Sequence, residues 1–213
     1  MCLVLWASLN LVFQGGNFFF LVISNFFHHL KTLLGIGSIC LNDGEIKPCQ
    51  NLNARTLMTH EALMREAIRL SLENVRSGTG GPFGAIVARK GEILAVGTNL
   101  VTSQNDPTAH AEVVAIRNAC QHLRTFELKG CDLYTTCEPC PMCLGAIYWA
   151  RIERVFFGNT RHDAAEIGFD DAFIYDEIPR DLSARNLPMI PLLREEALAT
   201  FRAWQQSTTK KPY

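Results

Sequence analysis

His110-Ala111-Glu112 is followed, 27 residues after Glu112, by Pro139-Cys140-Pro141-Met142-Cys143, and no other pattern in the chain narrows the possible folds so far. Two thiolates three residues apart at a helix start can both face one ion. The unpaired N–H groups and partial positive charge of that helix end favour thiolate over thiol. An imidazole from the preceding helix supplies a third ligand. Three protein ligands leave the fourth tetrahedral position of a zinc ion open to water, as catalytic zinc requires, whereas structural zinc draws four. Glu112, two residues from His110 in the first turn of the same helix, can sit beside the metal without binding it. Zinc brings the pKa of bound water towards ~7, and a neighbouring carboxylate can then ferry protons.

The rest of the sequence must build a scaffold around that constellation. A chain of 213 residues, 48% apolar, is ample for one domain with a substantial core. From Met58 onward 17 Lys/Arg stand against 19 Asp/Glu. So nearly balanced a chain has no global basic field for phosphate backbones, which puts small-molecule substrates ahead of nucleic acids. Four of the eight cysteines lie between Cys131 and Cys143. Clustering of this kind points to metal in a reducing compartment, hence the cytoplasm, and away from a secreted disulfide framework.

Two unlike segments share the chain. Residues 1–30 carry no charged side chain, and the apolar runs Cys2–Phe13 and Phe18–Phe27 are split by Gln14-Gly15-Gly16-Asn17. Neither run alone reaches the ~20 residues of a membrane span, and no basic n-region or Ala-x-Ala site marks a secretory signal. Residues 35–57 show no sustained period. Residues 1–57 therefore read as an extension outside the catalytic fold. A mis-assigned start ahead of Met58, a membrane anchor through residues 1–30 and a targeting segment all remain open as its explanation.

At Thr59 the pattern changes. Thr59 is a candidate N-cap, and Leu63, Ala67, Leu70 and Val75 mark the apolar face of a helix running to about Arg76. Ala85–Arg89 and Ile93–Gly97 read as strands of a hairpin turning at Lys90-Gly91. A second helix is expected from about Ala111 to His122 and a third over Pro141–Ala150, with strands at Asp132–Thr136 and Arg154–Phe157. Helical segments close the chain. A hairpin followed by alternating helix and strand implies a mixed sheet with helices on both faces.

With those elements placed, the stretch from Gly80 to Ile178 closely resembles bacterial guanine deaminases of the cytidine-deaminase fold. The resemblance is carried by Gly80-Gly81-Pro82-Phe83-Gly84-Ala85, by Asn105 through Glu112, by Cys137 through Arg151, and by Gly168-Phe169-Asp170-Asp171. The zinc motif belongs to the whole superfamily. The Gly-Phe-Asp-Asp segment and the C-terminal tail single out the guanine branch. The resemblance covers residues 58–213, taken here as the deaminase domain.

It implies an α/β fold, a three-layer α/β/α sandwich around a mixed five-stranded sheet. The implied reaction is hydrolysis of guanine to xanthine and ammonia, in purine catabolism or salvage, with a zinc-activated water and Glu112 as proton shuttle. One zinc per subunit would sit on His110, Cys140 and Cys143. A homodimer is implied, with C-terminal segments that close the active site and can be exchanged between subunits. By position, Asn99 matches a base-binding asparagine, and Asp171 an acidic residue that holds or shuttles protons at the guanine amino group. Phe83 and Trp149 match aromatic walls of the base pocket, Tyr213 matches a terminal aromatic cap, and Ala111 joins the substrate-binding set.

Blander readings stand beside these. Phe83 and Trp149 could be packing, Asn99 a turn former, and Asp171 a helix cap, although Asp170 could do that job alone. A guanosine deaminase is the nearest rival and a tRNA adenosine deaminase a further one. The second would need a basic C-terminal region, yet Asp163, Glu166, Asp170, Asp171, Asp176 and Glu177 make that stretch acidic.

Overall fold

A computed structural model describes residues 57–212 in full and residues 39–42 and 45–48 for the backbone. The chain divides into two units between Arg55 and Thr56. In the first, β1 (Ile39–Asn42) and β2 (Glu45–Pro48) pair antiparallel as a short hairpin, where the sequence shows no periodic signal. The expectations for residues 1–30 and for Tyr213 fall outside the described residues. Among the described residues no helix is long and apolar enough to cross a membrane.

The second unit opens with α1 (His60–Arg76), capped as its sequence predicts: Thr59 Oγ1 accepts from the Ala62 N–H at 3.2 Å. Then come β3 (Gly84–Arg89) and β4 (Glu92–Thr98). Lys90 and Gly91 both take positive φ, 50° and 79°, the pair of left-handed residues that matches the twist of a two-residue hairpin. A single turn, α2 (Val101–Gln104), precedes α3 (Ala111–Leu123). There follow β5 (Asp132–Cys137), α4 (Pro141–Trp149) and β6 (Arg154–Asn159). The chain closes with α5 (Arg161–Glu166), α6 (Ala172–Glu177) and α7 (Arg194–Gln206).

Sheet order is β4-β3-β5-β6, with β3 antiparallel to both neighbours and β5 parallel to β6. The sheet is mixed, as expected, but among the described residues it has four strands and not five. After Asn159 the chain turns into α5 through a reciprocal cap, in which Thr160 and Asp163 satisfy each other's backbone N–H groups. Among the described residues no later segment joins this sheet.

Alternation along β3 sorts the core. Ala85 and Val87 face α3, where Ala111, Ala115, Ala119, Leu133 and Ile147 join them. Ile86 and Ala88 face α1 with Leu63, Ala67 and Tyr134. Both helices press on the sheet where a glycine lies. A Cβ on Gly84 would strike the backbone of Ala67 and Ser71, and one on Gly97 that of Ala111 and Ala115. The buried face of α1 runs through Leu63, Ala67, Ser71 and Asn74, leaving Val75 half exposed, against the sequence reading.

Candidate active site

The site forms where the chain leaves β4, β5 and β6. His110 occupies the N-cap position of α3 and Cys140 that of α4, neither side chain bonding the helix, with Pro141 in the first turn of α4. Each side chain thus projects from a helix N-terminus, and Cys143 follows within one turn. His110 Nδ1 lies 3.6 Å from Cys140 Sγ and 3.6 Å from Cys143 Sγ. The three ligand atoms all fall within 4.8 Å of one another. Nitrogen and sulfur bound to one tetrahedral zinc at ~2.1 and ~2.3 Å must stand about 3.6 Å apart. The donor set therefore fits zinc, in spacing and in chemistry.

Electrostatics agree with a metal site. The Cys140 thiol is held down to about 4, first by the hydrogen bond from Cys143 and then by His110, against the effect of burial. Cys143, donating that bond, is pushed the other way. Thiol ligands of this kind release protons when a cation binds.

Glu112 sits on the first turn of α3 and is only 6% exposed. Burial raises its carboxyl above the usual range, with the charge of Cys140 adding. Thr135, on β5, donates to Oε1 at 3.1 Å, and Cys143 Sγ stands 3.5 Å from Oε2. The carboxyl is thus oriented beside the ligands and able to carry a proton.

A cavity of about 450 Å³ opens over this group, in the range of small-molecule sites. Phe83, Asn99, His110, Glu112, Cys140 and Asp171 all line it. Phe83 stands edge-on to Phe169, ring centroids 4.9 Å apart at 89°. Asn99 is buried, and its Oδ1 accepts long bonds from the Gly81 and Val101 N–H groups, both 3.4 Å. Its NH₂ end is left for the cavity. Asp170 Oδ1 accepts from the Ala172 N–H at 2.9 Å, while Asp171 makes no capping bond. Burial raises the Asp171 carboxyl as well.

Two expected residues are not brought here. Trp149, 63% exposed, lines a separate groove with Val113, Ile116 and Phe126, because the last turn of α4 points it away from the cavity. The Ala111 methyl is buried in the core under the sheet, so only its main chain could reach a ligand. Conversely, the sequence did not single out Thr135, Glu138, Arg161 or Tyr175. Thr135 lies on a strand buried along its whole length, where no alternation marks one face. Arg161 and Tyr175 stand on six-residue helices too short to show a period.

Fold and site together define a metal-dependent hydrolase of the cytidine-deaminase type, with a buried carboxyl beside three residues at two helix starts that would hold zinc. Residues 57–159 match the family model for the cytidine and deoxycytidylate deaminase zinc-binding region. The chain is 52% identical to guanine deaminase of Bacillus subtilis over 156 residues, 73% of this chain and all of that protein. The X-ray structure of the same relative superposes with a TM-score of 0.72, covering 73% of this chain and 99% of the other. Guanine deaminase from Nitrosomonas europaea matches at 33% identity and a TM-score of 0.53, over 70% of this chain and 86% of that one. A tRNA-specific adenosine deaminase of Aquifex aeolicus is 44% identical over 100 residues, 47% of this chain and 66% of the relative. The chain belongs to the cytidine and deoxycytidylate deaminase family, on its guanine deaminase branch.

Proposed function

We propose that the chain hydrolyses guanine to xanthine and ammonia, as a cytoplasmic enzyme of purine catabolism or salvage. The observation that carries this reading is a carboxylate on the cavity, besides Glu112, that makes no capping bond. Asp171 is left uncommitted because Asp170 does the capping, and it faces the same space as Glu112. Zinc on His110, Cys140 and Cys143 supplies the Lewis acidity that makes water nucleophilic near neutral pH. Glu112 takes a proton from the attacking water and gives it to a ring nitrogen beside the carbon under attack. Asp171 accepts a hydrogen bond from the exocyclic amino group, takes the proton of the hydroxyl newly formed on that carbon and hands it to the nitrogen, which leaves as ammonia while the carbonyl forms. Phe83 packs on the base, Asn99 bonds its edge through the free NH₂, and the Ala111 main chain adds a polar contact. Tyr213 is assigned the role of terminal cap.

Charge at the cavity favours a base over a nucleotide. Glu138, Asp170 and Asp171 line it against the single guanidinium of Arg161, so a substrate phosphate would meet net repulsion. The same acidity weighs against a tRNA anticodon as substrate. Residues 58–213 form the deaminase domain in this reading, with residues 1–57 outside it. The functional unit is a homodimer. Its support is the segment after Ile178, where Leu187, Ile190, Leu192 and Phe201 are all largely exposed and no residue of α7 is buried. So much bare apolar surface is what an exchanged C-terminal arm would cover.

A panel of guanine, guanosine, adenine, cytosine and a tRNA anticodon stem-loop, read by ammonia release, tests the substrate directly. Guanine is expected to be turned over fastest. Preference for guanosine would transfer the reaction to the nucleoside, and preference for the stem-loop would overturn the reading.

A further inference from the structure

Tyr175 lies four residues beyond Asp171, so the two stand on one face of α6, a turn apart. Its hydroxyl donates to the carbonyl of Pro139 at 3.0 Å. Pro139 immediately precedes the ligand Cys140. The Arg161 guanidinium covers the Tyr175 ring, 4.8 Å from its centroid. The Arg161 main-chain N–H in turn donates to Glu138 Oε2 at 3.1 Å, and the Glu138 N–H to the Asn159 carbonyl at 2.8 Å. Tyr175 is therefore where the metal loop, the start of α5 and the helix behind Asp171 meet.

α6 needs such an anchor. It has six residues and no side-chain cap from Asp171, and most of its side chains are exposed. An isolated helix this short is not stable in water. Proton transfer demands that Asp171 stay within hydrogen-bond reach of the leaving group, and misplacement by an ångström can cost ~10²-fold. Among the described residues, the Tyr175 hydroxyl makes the one side-chain hydrogen bond that joins α6 to the metal loop.

We propose that Tyr175 is a positioning residue of this enzyme: its bond to the Pro139 carbonyl sets where Asp171 stands relative to the metal ligands. This rests on the guanine deaminase reading given above. Its action runs through Asp171 and not through metal retention or general stability.

A double-mutant cycle on the full chain tests it, with Tyr175→Phe, Asp171→Asn and the double variant compared with wild type in kcat, KM and zinc content. Tyr175→Phe removes one hydroxyl and keeps the ring under Arg161. It is expected to lower kcat for guanine about tenfold, the rate equivalent of one hydrogen bond, with zinc content unchanged and KM within about twofold. In the Asp171→Asn background the same change is expected to cost less than about twofold, because the residue it positions no longer carries a proton. Equal losses in both backgrounds would reveal a merely structural tyrosine and overturn the inference. So would an unchanged kcat in Tyr175→Phe, or a drop in zinc content that tracks the drop in rate. A wild-type chain that ignores guanine but deaminates another base tells against the substrate instead, and the cycle is then read on that base.

Discussion

At the scale of single residues, the proposed mechanism separates holding metal from moving protons. Cys143 would do the first and also touches Glu112, which would do the second. Cys143→Ser is expected to lose both zinc and turnover, with metal analysis showing well under the one zinc per subunit of wild type. Glu112→Gln keeps the shape and the bond from Thr135 but cannot carry a proton. Zinc content is expected to stay at the wild-type level while kcat falls by about 10²–10⁴-fold. A Gln variant within threefold of wild type would show that the shuttle lies elsewhere. The candidate metal ligands were readable from the chain because each half of the motif is local, Cys140 and Cys143 one helix turn apart and His110 two residues before Glu112, although the two halves lie 30 residues apart. Trp149 was not, because whether a helix's last aromatic points to a cavity or away from it depends on how α4 is rotated against the sheet. Sequence spacing carries no such information.

Element boundaries followed the same division. Caps and turns with their own chemistry, at Thr59 and at Lys90-Gly91, stand where the sequence put them. The four strands read from the sequence are the four of the described sheet; the fifth was implied only by the resemblance, and after Asn159 the chain enters α5 through the cap at Thr160. On α1 the periodicity placed Leu63, Ala67 and Leu70 on the core side but missed Val75 and Asn74. Asn74 turns inward to donate from Nδ2 to the carbonyls of Gly81 and Asn99, both at 2.9 Å, a polar reason that hydrophobic spacing cannot register. Gly97 gives this scale its prediction. It lets α3 lie directly on β4, and α3 carries both His110 and Glu112 at its start. Gly97→Ala is expected to destabilise the fold by about 1–3 kcal/mol, as overpacking does, and to lower guanine turnover through the displaced helix. Thermal unfolding and kcat measured together check it. A variant with wild-type stability would mean that the contact yields more easily than its backbone-to-backbone character suggests.

For the molecule as a whole, composition marked the change at residue 58 more sharply than any single motif did. A chain beginning at Met58 is expected to fold, bind zinc and turn over guanine at the full-length rate. An insoluble or inactive product, beside an active full chain, would draw residues 1–57 into the fold. The closing C-terminal segment was expected from the resemblance, and the exposure of Leu187, Ile190, Leu192 and Phe201 is what supports it here. That arm has one more consequence on the dimer reading. A polypeptide that can bury Ile190, Leu192 and Phe201 only against a second copy obeys mass action in its own folding. Each subunit would then be finished by its neighbour, and its specific activity would decline on dilution, with no inhibitor present, as the population of unpaired chains grew.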